Sequence, residues 1–126
     1  QAHLEILNAA RRVYRIEFSP DPDIAIRQML GDGSFRNRIA IEVKGGTDFS
    51  NIHNRLGEAE KSHQKARGDG YTQFWTVINV KADIEPTVWK RETPTTNEVF
   101  YLERITDVGS EEYVRFREYL VSELGM

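Results

Sequence analysis

Apolar residues along this chain change period several times, and each change marks an element. Leu4, Leu7 and Ala10 recur at helical spacing, flanked by Ile6 and Ala9, which predicts a helix over residues 3–12. Arg11-Arg12 falls at its C-terminal end, where a helix dipole favours cations. Val13 to Phe18 alternates in part and reads as a strand, ended by the breaker cluster Ser19-Pro20-Asp21-Pro22. Asp23 to Leu30 is a second strand, Gly31-Asp32-Gly33-Ser34 a hairpin turn, and Phe35 to Lys44 the antiparallel return strand.

Thr47, Asp48 and Ser50 are candidate N-caps for a helix running to about Ala66. Its apolar row is Ile52, Leu56, Ala59 and Ala66, with His63 in the same row as a core histidine, and Gly68-Asp69-Gly70 ends it. Tyr71 to Val80 is rich in β-branched and aromatic residues, as a central strand requires. A helix of this length before it predicts a parallel crossover beside the Phe35–Lys44 strand. Residues 81–97 read as irregular, and Glu98 to Ile105 as a last strand. Ser110-Glu111-Glu112 opens a closing helix with the stripe Tyr113, Phe116, Tyr119, Leu120 and Leu124. The pattern predicts one α/β domain over residues 1–126, in the order α-β-β-β-α-β-β-α.

Composition narrows this reading only slightly. A hydrophobic fraction of 39% with two Trp, five Tyr and six Phe suits a packed core and excludes a disordered chain. The net charge of −3 disfavours indiscriminate nucleic-acid coating, but permits an enzyme with local carboxylates and a local basic lining. Cysteine is absent, which rules out thiolate metal sites and disulfides and favours an intracellular setting. Neither a membrane-spanning run nor a signal-peptide pattern is evident, and the start at Gln1 suggests a piece of something longer.

Candidate chemistry centres on Glu42-Val43-Lys44. Period-two geometry puts Glu42 and Lys44 on one face of their strand, with Ile41 and Val43 on the other. The tight hairpin brings the far ends of its strands together, so Asp23 should lie near Glu42. Two carboxylates at a strand end form a hard-oxygen site suited to Mg²⁺. Lys44 would point at the water shell of that ion, to orient an attacking water and offset charge on a phosphoryl oxygen. Gly45-Gly46 would permit close approach of a ligand to the backbone. Against this stands a plain surface ion pair between Glu42 and Lys44. Asp21 rivals Asp23 because it also borders a proline. Asp23 is preferred because it abuts the apolar run Ile24-Ala25-Ile26.

Pro22-Asp23, eighteen intervening residues and then Glu42-Val43-Lys44 resemble the motif of the PD-(D/E)xK nuclease superfamily. The resemblance implies a restriction-endonuclease-like α-β-β-β-α-β core, a mixed central sheet flanked by helices, here with an extra strand and a C-terminal helix. It further implies Asp23 and Glu42 as metal ligands, the Val43 backbone carbonyl as another, and Lys44 as the catalytic lysine. Glu42 to Asp48, followed by Ser50 to Arg55 and Glu58 to His63, is similar more narrowly to type II restriction endonucleases of the XcyI kind. The resemblance implies a catalytic domain acting on double-stranded DNA as a homodimer, with Mg²⁺ and with Mn²⁺ as a substitute, in a prokaryotic cytoplasm. Two rival readings remain: a Holliday-junction-resolvase-like nuclease, and a non-catalytic α/β interaction module.

Ser50, Asn51, His53, Asn54 and Arg55 are candidate DNA contacts, since a helix N-terminus beside a metal site suits phosphates. Asn54 and Arg55 could instead read base edges. Glu58 and Glu60, and Glu5 from the first element, are weaker candidates for further site carboxylates. Arg36, Arg38, Lys61, Lys65 and Arg67 could line a cleft or simply solubilise the surface. Trp75 and Trp89 read as core or interface residues.

Overall fold

A computed structural model describes residues 3–19, 21–45, 51–80 and 83–126. Its elements are β1 (His3–Leu7), β2 (Val13–Phe18), β3 (Ile24–Met29), β4 (Phe35–Gly45), α1 (Ile52–Gly68), β5 (Gln73–Asn79), α2 (Pro86–Glu92), β6 (Glu98–Tyr101), α3 (Leu102–Ile105) and α4 (Glu111–Glu123). The strands form one six-stranded mixed sheet in chain order. β1–β2, β2–β3 and β3–β4 are antiparallel, whereas β4–β5 and β5–β6 are parallel. This is a mixed α/β architecture compatible with a restriction-endonuclease-like fold, and the predicted hairpin and parallel crossover are both present.

Each face of the sheet has its own core. Tyr14, Ile26, Ile39, Ile41, Trp75, Val77 and Phe100 pack with Leu124, and Phe116 and Leu120 of α4 close over them. Phe100 and Phe116 meet edge to face with ring centroids 4.9 Å apart. On the other face, Ala25, Ala40 and Phe74 pack on Ala66, while Ile78 and Val99 meet Ile52 and Leu56 of α1. The buried row of α1 is Ile52, Leu56, Ala59, His63 and Ala66, as its period predicts.

Three predicted elements differ. Residues 3–12 form no helix. His3–Leu7 is an edge strand paired with β2, and Asn8 Oδ1 accepts from the Ala10 and Arg12 backbone N–H groups in the turn between them. Arg11 adopts φ 62° in that turn. A ten-residue helix is marginal alone, whereas the edge pairing satisfies the backbone and lets Ile6 pack on the core. The 81–97 segment contains α2, begun by Pro86 at a position where a missing N–H costs nothing. The run from Glu98 to Ile105 stays extended only to Tyr101, because β5 offers no partner beyond Ile78 and Asn79. The Glu112 carboxylate instead accepts from the Tyr101 N–H, and Leu102 and Ile105 wind into α3 to reach the core. Among the described residues no helix is long and apolar enough to cross a membrane.

Candidate functional site

Asp23 and Glu42 meet where the β3–β4 hairpin strands end. Ile24 pairs with Ile41, so the residue before the first and the residue after the second are neighbours. The Asp23 carboxylate accepts from the Val43 backbone N–H at 2.8 Å, and the Asp23 N–H donates to Glu42 Oε2 at 3.3 Å. Two acids are thus fixed by two backbone amides. Lys44 Nζ lies 3.6 Å from Glu42 Oε1, on the same face as expected, and 3.9 Å from Glu58 Oε2 of α1.

The electrostatics of this cluster are unbalanced. Glu42 is 2% exposed. Burial pushes its carboxyl up from the ordinary 4.5, and the Asp23 charge adds to this; Lys44, the Asp23 N–H and the Ser62 hydroxyl oppose the rise without cancelling it. Such a carboxylate pair, with a single lysine against it, favours a further cation. Among the described residues no group of three or more His, Cys, Asp or Glu is placed to hold a metal. The Asp23 and Glu42 carboxylates are the pair of hard oxygen donors that this strand end brings together.

Asp21 is turned away from this cluster. Its carboxylate pairs with Lys65 of α1 at the exposed surface. Glu5 lies on the far edge strand, where Arg15 Nη2 binds it at 3.1 Å, and does not join the site. Edge pairing of β1 explains this, because it removes the first helix that would have carried Glu5 elsewhere. Glu58 is 52% exposed at its side chain and pairs with Arg55 one turn earlier, yet it also faces Lys44. Gly45 serves β5: a Cβ there would come within 2.8 Å of Asn79 Cβ, its register partner. Glycine lets the two strands approach, and no ligand is needed to account for it.

Asn51, His53, Asn54 and Arg55 are exposed at the N-terminal end of α1, while Ser50, Thr47 and Asp48 lie outside the described residues. Asn51 occupies the N-cap position. His53 Nδ1 is 3.1 Å from Glu92 Oε1, which ties this end of α1 to α2. Arg38 does not line the cleft. It is the extra residue of a β-bulge between the Ile26/Ile39 and Arg27/Asn37 pairs, and its guanidinium meets Gln28 and Glu123. Lys65 is engaged by Asp21, and Arg67 lies over the Phe74 ring. Arg36 and Lys61 are exposed, Trp75 belongs to the core, and Trp89 packs partly against the Ile52–Leu56 cluster.

Beneath the acids lie His63 and Glu60, expected as a core histidine and a weaker site carboxylate, together with threonines and a serine that no sequence expectation singled out. The Ser62 hydroxyl of α1 acts on the Glu42 carboxylate, and Thr76 of β5 is the register partner of Glu42. The fully buried His63 Nε2 is 2.8 Å from Thr76 Oγ1. Glu60 is part-buried and accepts from Thr93 and Thr95; burial acts to raise its pKa, but those hydrogen bonds and one from Gln64 outweigh it and the net direction is down.

The model of the XcyI restriction endonuclease family matches residues 1–126. The type II restriction enzyme Cfr9I of Citrobacter freundii is 49% identical over 120 residues, covering 94% of this chain and 36% of that protein. The type II restriction enzyme XcyI of Xanthomonas campestris pv. cyanopsidis is 46% identical over 122 residues, covering 97% of this chain and 36% of that protein. The chain thus spans little more than a third of the length of these curated relatives. No solved structure matches it.

Proposed function

The chain belongs to the XcyI restriction endonuclease family, and on that premise we propose that it is the catalytic domain of a type II restriction endonuclease that hydrolyses phosphodiester bonds in double-stranded DNA with Mg²⁺, Mn²⁺ serving as a substitute. The observation that carries this reading is the convergence of Asp23, Glu42 and Lys44 at one end of the β3–β4 hairpin. Both relatives are named as type II restriction enzymes, which favours duplex DNA over a four-way junction as substrate.

Asp23, Glu42 and the Val43 carbonyl would hold the ion. When bound, a divalent ion polarises a phosphoryl oxygen and lowers the pKa of a coordinated water. Lys44 supplies a positive charge beside the acids, orienting the attacking water and offsetting charge that develops on the phosphoryl group. Glu58 restrains the Lys44 ammonium from the α1 side. Exposed Asn54 and Arg55, with the amides at the start of α1, meet the DNA backbone near the scissile bond. A homodimer on a palindromic site follows from the two-fold symmetry of such DNA. Acting on duplex DNA in a bacterium, the enzyme would work in the cytoplasm.

Incubating the purified protein with a mixed plasmid, with and without Mg²⁺, and sequencing the ends tests the reading. Discrete ends at one short palindrome, dependent on metal, are expected. Cutting confined to four-way junctions would instead favour a resolvase, and no cutting with any divalent metal a binding module.

A further inference from the structure

A buried hydrogen-bonded chain runs behind the acids. His63 Nε2 meets Thr76 Oγ1 at 2.8 Å, Thr76 Oγ1 meets Thr96 Oγ1 at 2.8 Å, and Thr96 Oγ1 meets Thr93 Oγ1 at 2.7 Å. Thr93 Oγ1 then donates to Glu60 Oε1 at 3.3 Å. His63, Thr76 and Thr93 are fully buried and Thr96 is 5% exposed, so water is not an alternative partner along the chain. The chain joins α1 to β5 and to the loop between α2 and β6.

Counting protons fixes its direction. An ionised Glu60 has none to give, so the single Thr93 proton points at it. Thr96 must then donate to Thr93, and Thr76 to Thr96. The Thr76 oxygen is left as an acceptor, and only a protonated Nε2 of His63 can serve it. Nδ1 of His63 therefore carries the bare lone pair, in agreement with its being buried without a partner.

Resting on the nuclease reading above, we propose that this relay, from Glu60 through Thr93, Thr96 and Thr76 to His63, is a positioning device for the catalytic acids. Thr76 stands beside Glu42 on the neighbouring strand, and Ser62, whose hydroxyl acts on the Glu42 carboxylate, is the residue preceding His63. Locking His63 onto Thr76 therefore fixes how α1 is rotated and how far it has slid along β5. The same placement sets Ser62 against Glu42 and Glu58 against Lys44. None of the relay residues touches the scissile phosphate, so they act through Ser62 and Glu58, and their effect falls on turnover rather than on DNA affinity. Misplacement of catalytic groups by a fraction of an ångström suffices for a large loss of rate.

Thr76→Val keeps the shape and removes both the donor and the acceptor, whereas Thr76→Ser restores the hydroxyl. In steady-state cleavage of a cognate duplex, Thr76→Val should lower kcat by about tenfold or more with KM within about twofold, and Thr76→Ser should recover most of the turnover. A purely structural role would lower the active fraction in both variants in proportion to unfolding, which circular dichroism measures. Nitrogen-15 NMR of the wild-type protein gives a second readout without any variant: His63 should be the neutral Nε2–H tautomer. An Nδ1–H tautomer overturns the proposal, as does unchanged kcat in folded Thr76→Val. Should Thr76→Val fail to fold, Thr96→Val, which severs Thr76 and His63 from Thr93 and Glu60, replaces it with the same expected kcat loss and the same overturning result. If the wild type cuts no DNA, the nuclease reading falls and this role with it. If the wild type cuts and turnover is untouched in the variant, only this role falls.

Discussion

The Asp23 carboxylate is tied by the Val43 backbone N–H at 2.8 Å to the strand that carries Glu42 and Lys44. One acid is therefore positioned by the backbone between the other two candidate side chains. Asp23→Ala should abolish cleavage, by at least about a hundredfold, and lower stability by about 1 kcal/mol for the lost hydrogen bond. Asp23→Asn keeps an acceptor for Val43 and should spare stability while still abolishing cleavage. Asp21→Ala disturbs only the exposed pair with Lys65 and should cut at a near-normal rate. Cleavage assays and urea melts on the three variants check this. Equal loss in Asp21→Ala and Asp23→Ala would remove the assignment of Asp23.

Glu42→Gln should separate stability from activity. Burial and the Asp23 charge make the ionised Glu42 costly in the fold, and the folded pKa lies above the unfolded one. The folded state then binds the proton more tightly, so the cost is present at neutral pH and disappears as pH falls through the raised folded value. A neutral glutamine avoids it. Glu42→Gln should melt at a higher temperature than wild type at pH 7, with the gap closing on acidification, and should not cleave. A lower melting temperature at pH 7 would show that Lys44 more than compensates the charge.

Much of this arrangement is legible in the chain because local rules determine it. Gly31-Asp32-Gly33-Ser34 makes a hairpin, with Gly33 at φ 87°, and a hairpin necessarily brings Asp23 to Glu42. The row Ile52, Leu56, Ala59, His63 and Ala66 follows from helical period alone. Residues 3–12 defeat the same rule, because Leu4 and Leu7 also fit a short strand and the Asn8 turn is decided by its side-chain contacts. Tyr101 marks the other failure: an apolar run continues past the last strand residue that β5 can pair. The relay is invisible in sequence because its partners lie on α1, β5 and the α2–β6 loop, and ordinary threonines carry no motif.

Removing the lysine should have the opposite pH signature to Glu42→Gln. Lys44→Met keeps the apolar stem but leaves Asp23 and Glu42 facing each other without their nearby cation. The variant should lose cleavage by at least about a hundredfold and lose about 1–3 kcal/mol of stability at pH 7. Glu42 then has its folded pKa raised further, and protonation relieves the repulsion. The stability deficit should therefore shrink as the pH falls from neutrality, and is compared at pH 7 and pH 5. Chemical denaturation at both pH values measures it, and a deficit independent of pH would mean that packing of the lysine stem, not its charge, is what was lost.

His63 should give the fold its own acid sensitivity. Burial holds its pKa at about 4, below the ordinary 6.5; the Glu60 charge opposes this and Lys44 reinforces it. Above pH 6.5 the imidazole is neutral in both folded and unfolded chains and contributes no slope. Between about 6.5 and about 4 the unfolded chain takes up a proton that the folded chain refuses, so stability falls as pH falls, by up to about 1.4 kcal/mol per pH unit. Glu42 works in the opposite direction, so the difference between wild type and a variant without the ring, not the wild-type slope alone, isolates the His63 contribution. His63→Gln can keep a nitrogen donor near Thr76 but has no titrating ring. Urea melts at pH 7, 6 and 5 should show a shallower loss of stability in this variant than in wild type. Parallel pH profiles for the two proteins would mean that the buried imidazole is protonated in the fold at pH 6.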